Sequence, residues 1–117
     1  MNFPKRGEIW WTDFDPARGA EIKKKRPACV ISNNINNEFG ALVTVLPISD
    51  AGKKVYPFEV AVSKSEAGLQ KDSKLKCQQI RSVDKMRLLN KIGDLPKEKI
   101  RSVEKALAIH LGIIFKG

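Results

Sequence analysis

The hydrophobic pattern of this sequence changes period once, close to Pro96, and this change constrains the fold more than any other feature. Ahead of Pro96, short runs of strand-forming residues alternate with polar loops, as in small antiparallel sheets. Five such runs within about 85 residues predict a small antiparallel barrel or curled sheet. The runs are residues 7–14 (GEIWWTDF), 28–32 (ACVIS), 41–49 (ALVTVLPIS), 56–62 (YPFEVAV) and 73–83 (SKLKCQQIRSV).

The C-terminal part has the period of a helix, with Pro96 suited to its first turn. Ile109 and Ile113 widen the apolar face, so the helix could cover the barrel alone or also meet a second subunit. The predicted class is therefore α+β, mainly β: an all-β core with a C-terminal α-helix. The apolar positions at steps of three and four are Ile100, Val103, Leu107, Leu111 and Ile114.

Three details refine this fold prediction. The run at residues 41–49 is apolar on both faces, which predicts a central strand that Pro47 ends or bulges. The aromatic rings of Trp11 and Phe58 are expected in the core. With 117 residues, the chain is the size of one domain, spanning residues 1–117.

The charge balance is the clearest functional signal. The chain has 22 Lys and Arg against 13 Asp and Glu, a net charge of +9. This excess favours a polyanionic ligand, first a nucleic acid and second an acidic protein that mimics one. A membrane surface ranks third, because no long basic amphipathic helix and no apolar run of about 20 residues is visible. A solvated basic surface is the plain alternative.

The N-terminus and the cysteines indicate the compartment. The first residues, MNFPKRGEIWW, have no apolar stretch after their positive charges, so we expect no secretory signal and a cytoplasmic protein. Cys29 and Cys77 lie in strand-like runs without metal-ligand spacing. They are expected to be small core residues, without a disulfide or a metal.

Common catalytic motifs are missing from the sequence. It has no P-loop, no GxGxxG and no GxSxG. The single histidine, His110, excludes a histidine-pair nuclease and a metal site built from His and Cys, and is expected to be an ordinary surface or core residue. No cofactor is therefore expected.

Basic residues are concentrated in loops and along one strand. Such a spread suits contacts to phosphates, because each cation displaces counterions from the backbone. Trp10, Trp11, Tyr56 and Phe58 could give faces for stacking on unpaired bases, with the core as the preferred place for Trp11 and Phe58. The basic residues are Lys23, Lys24, Lys25 and Arg26 in one loop, Lys53 and Lys54 in another, and Lys74, Lys76 and Arg81 in the last predicted strand.

Three segments in order resemble the MazF/PemK/Kid family of toxin endoribonucleases. They are RGEIWWTDFDPARGAEIKKKRPACVISN, then VLPIS, then LQKDSKLKCQQIRSVDKMRL, and the resemblance covers residues 6–89. It implies a small SH3-like antiparallel β-barrel of the CcdB/MazF/Kid type and a homodimer. It further implies metal-independent cleavage of single-stranded RNA at short sequences. The implied partner is an antitoxin with an acidic, disordered tail that occupies the RNA groove.

By position, the resemblance assigns roles to several residues. Arg26 matches the arginine before proline that members use in cleavage, and Ser49 matches a threonine that works with it. Glu21 matches the glutamate of the first loop. Gln79, Arg81 and Asp84 match the QxRxxD run that shapes the groove floor, beside Gln78.

The sequence departs from the family pattern at three places. Lys23 and Lys24 replace the usual glycines or glutamine, which makes the loop stiffer and more basic. Ala20 stands where some members have a histidine, so no histidine can act there. Gln78 stands where one branch has a catalytic aspartate, so that assignment cannot transfer.

The chemistry also follows from the residue types. Metal-free RNA cleavage uses the neighbouring 2′-OH as nucleophile and gives a 2′,3′-cyclic phosphate and a 5′-OH. Arg26 is suited to the phosphorane, because a planar guanidinium grips two phosphate oxygens, although a plain phosphate-positioning contact is the alternative. Ser49 would donate to the phosphate or leaving oxygen. The group that takes the 2′ proton is open, with Glu21 as a candidate on chemical grounds.

Two other functions remain open from the sequence. One is a non-catalytic nucleic-acid-binding barrel, which the net charge of +9 also fits. The other is a CcdB-like gyrase poison with the same barrel. The activity of CcdB depends on residues near its C-terminal end. The distinctive matches in this sequence lie in KKKRP and VLPIS, which favours the nuclease.

Overall fold

The computed structural model describes residues 2–52 and 54–114. Within them the chain forms seven β-strands, three α-helices and two 3-10 turns. The strands are β1 (Glu8–Asp13), β2 (Lys25–Val30), β3 (Leu42–Asp50), β4 (Glu59–Val62), β5 (Ser73–Lys76), β6 (Arg81–Asp84) and β7 (Leu88–Asp94). The helices are α1 (Asn34–Phe39), α2 (Lys64–Ala67) and α3 (Lys97–Leu111), and the 3-10 turns are Cys77–Gln79 and Lys85–Arg87.

The strands form one antiparallel sheet in the order β4-β5-β3-β2-β1-β7, with β6 also paired to β3. β3 is central, as predicted, since it pairs with β2 along one edge and with β5 and β6 along the other. The strand continues through Pro47, which is paired with Ala28. Among the described strands the path does not close on itself, so the predicted barrel is an open one.

The prediction of one continuous strand over residues 73–83 is wrong. β5 pairs with β3 as far as Ile48↔Leu75, and pairing resumes at Val45↔Arg81. Between these pairs the chain forms the 3-10 turn Cys77–Gln79. Pro47 lies opposite this break and has no N–H to donate, which weakens the ladder at that point.

Both faces of the central strands are buried, which explains why β3 reads as apolar throughout. One cluster joins Cys29, Leu46 and Ile48 to Val103 of α3. The other packs Val30 and Val45 with the residues Phe14, Ile22, Val83 and Leu88. The second cluster thereby ties the loop at residues 14–24 to the sheet.

The placement of two aromatic residues differs from the core prediction. Trp11 is 37% exposed, whereas its neighbour Thr12 is fully buried. The pairing of β1 with β7 shifts register on either side of Trp10 and Trp11, and these irregularities break the simple alternation of faces. Phe58 is half-buried and stacks on Tyr56 with 5.4 Å between ring centroids.

The helical prediction after Pro96 is confirmed, with Pro96 at the N-cap of α3 and Gly112 ending the helix at φ 70°. Short elements escaped the sequence pattern. α1 begins at an asparagine cap, where the Asn33 side chain accepts from the amide of Asn36. β7 has no alternating pattern to mark it.

Cys29 and Cys77 are buried free thiols, as expected. Burial raises the pKa of each thiol to about 12, so both stay protonated and inert at neutral pH. In the described part of the chain, no helix has the length and apolar character that a membrane crossing requires.

Candidate active site

A cavity of about 560 Å³ opens beside the start of β2 and the end of β3. Arg26 and Pro27 of β2 border it together with Ser49 of β3. Trp11 contributes an exposed indole from β1. The opposite wall comes from residues 68–71 and from Asn90 and Ile92 of β7. The structure therefore brings the two main catalytic candidates to one cavity.

The strand register explains how Arg26 and Ser49 come together. The β2–β3 ladder ends at Ala28↔Pro47, so Arg26 and Ser49 each lie two residues beyond the last pair, and both border the cavity. Ser49 is itself paired with Lys74 of β5. Directly opposed residues of an antiparallel pair lie on the same face of the sheet. Ser49 and Lys74 thus lie on the same face of the β3–β5 pair.

The far wall of the cavity depends on two glycines. β7 passes α2 so closely that a Cβ at Gly93 would lie 2.5 Å from the carbonyl oxygen of Ala67. Gly68 ends α2 in the left-handed conformation, at φ 71°, and turns residues 69–71 towards the cavity. No sequence feature marked Gly68 and Gly93, since the wall forms only when distant segments meet.

The loop before β2 is held by backbone hydrogen bonds. The Phe14 amide donates to the Lys24 carbonyl at 2.9 Å, and the Lys24 amide donates to Asp15 Oδ1 at 2.9 Å. The Ile22 amide donates to Gln79 Oε1 at 2.7 Å. Arg87 donates from one guanidinium nitrogen to the carbonyl oxygens of Asp13 and Asp15. These bonds fix the loop from which Arg26 emerges.

The conformation of Arg26 is linked to that loop. Its Nε donates to the carbonyl oxygen of Lys23 at 3.2 Å, and the side chain is half-buried. Pro27 follows and fixes its own φ, which limits the freedom of the backbone at this point. Because both the backbone at Arg26 and its Nε are held in place, the guanidinium is partly preorganised to bind an anion.

Glu21 does not line the cavity with Arg26 and Ser49. Its Oε1 accepts from the amide of Arg18 at 2.6 Å, and its own amide donates to the Arg18 carbonyl. The carboxylate therefore closes a turn within the loop. Its action as the general base stays a prediction.

The predicted RNA-binding lysines among the described residues lie before and at the start of β2, in the loop before β4 and in β5. Lys23, Lys24 and Lys25 are exposed, and Lys25 borders the cavity. Lys54 is exposed, with Nζ 4.5 Å from the ring centroid of Tyr56. Lys76 is half-buried in β5. Lys53, predicted to bind RNA, lies outside the described residues.

Gln78, Gln79 and Arg81 hold neighbouring segments and do not line the cavity. Gln78 Nε2 donates to Glu59 Oε2 at 2.7 Å, while the Arg81 guanidinium lies 5.6 Å from the Phe14 ring centroid. Two buried atoms, Gln78 Oε1 and one terminal nitrogen of Arg81, have no hydrogen-bond partner. Contacts of Gln78, Gln79 and Arg81 to RNA stay predictions, and the structure shows only their contacts within the protein.

Asp84 and His110 have local roles. Asp84 Oδ1 accepts from the Met86 amide at 2.8 Å and so caps the 3-10 turn Lys85–Arg87. His110 is exposed on α3, with 6.4 Å between its ring centroid and that of Phe58. Across residues 2–52 and 54–114, no three His, Cys, Asp or Glu side chains are grouped as a metal site.

The fold and site define a class: an open antiparallel barrel whose strand ends present an arginine and a hydroxyl in a basic cavity. The sequence matches the family model of PemK-like, MazF-like toxins of type II toxin–antitoxin systems over residues 5–111. The chain belongs to this family, which confirms the resemblance found in the sequence.

Individual relatives agree with this assignment. Endoribonuclease MazF9 of Mycobacterium tuberculosis is 41% identical over 114 residues, which is 93% of this chain and 97% of that protein. The crystal structure of MazF from Deinococcus radiodurans superposes with a TM-score of 0.83 at 28% identity, covering 97% of this chain and 100% of that one. A MazE-MazF structure from the same organism gives a TM-score of 0.76 at 27% identity, covering 95% and 98%.

Proposed function

We propose that this protein is an endoribonuclease that cleaves single-stranded RNA at short sequences, and that it is the toxin of a type II toxin–antitoxin pair. The observation that carries the proposal is the meeting of Arg26 and Ser49 at one basic cavity. The relative named as an endoribonuclease supports it, since the match extends over 93% of this chain. In this proposal residues 1–117 act as one toxin domain.

In the proposed reaction the 2′-oxygen forms a bond to phosphorus and the bond from phosphorus to the 5′-oxygen breaks. The 2′ proton passes to a base, for which Glu21 is the candidate, and a proton reaches the leaving 5′-oxygen. Arg26 stabilises the negative charge of the phosphorane, a contribution of about 3–4 kcal/mol for one preorganised donor. Ser49 donates a hydrogen bond to a phosphate or leaving oxygen.

Binding of the RNA backbone is assigned to the lysines before and at the start of β2 and in the loop before β4. The net charge of +9 supports this role, and so do the exposed side chains of Lys23, Lys24, Lys25 and Lys54. Each phosphate contact releases counterions, so we expect the affinity for RNA to fall as salt rises. We assign Trp11, which is exposed and borders the cavity, to stacking on an unpaired base.

The proposed protein partner is a cognate antitoxin with an acidic, disordered tail that competes with RNA for the basic cavity. The family name supports an antitoxin, and the MazE-MazF structure supports a stable pair. A disordered acidic segment would fold on contact, and screening by salt would weaken it. We place the pair in the cytoplasm.

The C-terminal end of α3 supports the proposed homodimer. Four large apolar side chains lie exposed within six residues, two at the end of α3 and two just beyond it, and an exposed apolar patch is a common feature of subunit interfaces. They are Ile109 at 48%, Leu111 at 53%, Ile113 at 60% and Ile114 at 83% exposure. Light scattering of the dimer should give about twice 13.1 kDa.

The test of this function maps both ends of the products after purified protein is incubated with a long RNA. We expect cuts at one short recurring sequence, with a 2′,3′-cyclic phosphate on one side and a 5′-OH on the other. Products with a 3′-OH and a 5′-phosphate would contradict attack by the 2′-OH. Tight RNA binding without any cut would favour the non-catalytic barrel, and binding to gyrase alone would favour a poison of the CcdB type.

A further inference from the structure

Glu59 of β4 is a buried carboxylate whose two oxygens are both occupied. The residue is 6% exposed. Gln78 Nε2 donates to Oε2 at 2.7 Å, and the Tyr56 amide donates to Oε1 at 3.1 Å. Lys74 Nζ lies 3.0 Å from Oε1, with the lysine side chain 13% exposed. The carboxylate thus joins β4, β5, the 3-10 turn after β5 and the loop before β4.

Lys74 extends the connection in two directions. Its Nζ donates to the carbonyl oxygen of Lys54 at 2.9 Å, which holds the loop between β3 and β4. Its backbone is paired with Ser49 in the β3–β5 ladder. The ion pair therefore connects the strand that carries Ser49 to the loop that carries Lys54 and Tyr56.

That loop presents an ordered group of side chains at the surface. Lys54 Nζ lies 4.5 Å from the Tyr56 ring centroid, and Tyr56 stacks on Phe58 with an interplanar angle of 5°. Tyr56 is 42% exposed, so part of the stack faces solvent. A cation next to an aromatic surface suits a nucleic acid, because it offers contacts to both phosphate and base.

A buried ion pair is a poor device for stability alone. Desolvation of both charges offsets much of their attraction, and apolar side chains of similar volume often serve as well. A pair that is fully hydrogen-bonded does fix geometry, since each partner accepts few other arrangements. The pattern of contacts at Glu59 therefore favours a positioning role.

We propose that Glu59 is a positioning residue: through Lys74 it holds residues 54–58 at a fixed distance from Ser49 and so determines which RNA sequences the site accepts. The inference rests on the proposed function, which supplies the RNA. Glu59 itself does not touch the reacting phosphate. Its effect is exerted on substrate binding and sequence choice, whereas Arg26 and Ser49 act on the chemistry.

The test uses the double variant Glu59→Gln/Lys74→Met. A single substitution leaves one buried charge without its partner and is strongly destabilising, whereas the double variant removes both charges and keeps the side-chain volumes. The Lys74 contact to the Lys54 carbonyl is lost with the ion pair. The matched control is Glu104→Gln, which removes the carboxylate of the Arg6–Glu104 pair at 3.1 Å, because neither residue lines the cavity.

Two measurements are made on the parent, the double variant and the control. For RNA cleavage, the double variant should raise KM about tenfold, keep kcat within about threefold and cut at a broader set of sequences. The control should match the parent. For amide hydrogen exchange, protection of the amides of Lys54, Val55, Tyr56 and Phe58 should fall about tenfold in the double variant only.

The two measurements separate the possible failures. Parental KM and cut sites in a folded double variant, or a lower kcat at unchanged KM, would overturn the positioning role. Unchanged exchange at residues 54–58 would overturn it even if the parent cut no RNA. If the parent cuts no RNA while the double variant loosens the loop, the proposed function fails. The hold of the Glu59–Lys74 pair on residues 54–58 is then still established.

Discussion

The side chain of Gln79 accepts a hydrogen bond from the backbone amide of Ile22, with 2.7 Å between Oε1 and N. Ile22 is buried at 8% exposure, so this amide cannot turn to water instead. The bond ties the loop at residues 14–24 to the 3-10 turn that interrupts the last predicted strand. Arg26 emerges from that loop, so the interruption of the strand helps to set the position of the guanidinium.

Replacement of Gln79 should loosen the loop. Gln79→Ala leaves the buried Ile22 amide unsatisfied, which costs about 1–3 kcal/mol of unfolding free energy. The single-turnover cleavage rate should fall roughly tenfold or more, because the misplaced loop no longer aims Arg26. Urea denaturation and single-turnover kinetics check the two effects. In Gln79→Glu a carboxylate oxygen still accepts the bond, so equal losses in both variants would contradict this explanation.

Lys24 adopts the left-handed conformation, at φ 67°. Among residues 2–52 and 54–114 it is the only residue other than glycine with a positive φ. This conformation costs a residue with a Cβ about 1 kcal/mol, a strain that glycine lacks. Lys24→Gly should therefore be more stable than Lys23→Gly by about 1 kcal/mol, while both lose the same charge. Thermal denaturation measures the difference.

RNA binding by these two variants gives the complementary measurement. Each should weaken the affinity by about one phosphate contact and reduce the salt dependence by a similar amount. Fluorescence anisotropy at several salt concentrations would show it. If Lys24→Gly bound RNA as tightly as the parent, Lys24 would have no part in the basic surface.

Acid should remove the stabilisation that the Glu59–Lys74 pair gives to the folded state. Burial alone would raise the pKa of Glu59. The hydrogen bonds from Gln78 and the Tyr56 amide, together with Lys74, lower the pKa by more than burial raises it, so it lies below the ordinary value. A carboxyl with a lowered folded pKa stabilises the fold fully above its unfolded pKa of about 4.3. This contribution is lost as the pH falls through the folded pKa.

The measurement is the unfolding free energy from pH 7 down to about pH 3 for the parent and for Glu59→Gln/Lys74→Met. The parent should lose more stability below about pH 4.3 than the double variant. Glu8 and Glu66 also have lowered pKa values, but they are present in both proteins and cancel in the difference. Parallel curves would show that the folded pKa of Glu59 is not lowered.

Removal of metal ions should leave cleavage intact. Attack by the 2′-OH needs charge stabilisation and proton transfer, both of which the proposed side chains provide without a Lewis acid. The single-turnover rate should therefore be unchanged in a large excess of EDTA. A rate that collapses in EDTA and returns with magnesium would exclude the proposed mechanism.

The sequence predicted those elements whose pattern is local and long enough to read. β1 follows from a period-2 run, β3 from a continuous apolar run and α3 from a period-3.6 run. The strand over residues 73–83 was wrong because its interruption depends on Pro47, a residue of another strand. β7 escaped because LLNKIGD carries no alternation, and α1 because its Asn-rich turn has low helix propensity.

For the site, the sequence predicted the residues that stand in recognisable motifs. Arg26 and Ser49 lie in KKKRP and VLPIS, and the structure brings both to one cavity. The exposed Trp11 was assigned to the core, because the irregular pairing of β1 cannot be read from one strand alone. The wall at residues 68–71 and the Glu59–Lys74 ion pair depend on contacts between distant segments, which a single sequence does not reveal.

The central claim is that the Arg26 guanidinium stabilises the transition state at the cavity, and single-turnover cleavage of a fluorescent RNA by Arg26→Ala tests it most directly. Circular dichroism confirms that the variant is folded, and Arg26→Lys and Ser49→Ala are measured beside it. We predict a loss of about a hundredfold to a thousandfold for Arg26→Ala, partial recovery for Arg26→Lys and a smaller loss for Ser49→Ala, with RNA binding weakened by one phosphate contact. Cleavage by folded Arg26→Ala at close to the parental rate would contradict the claim.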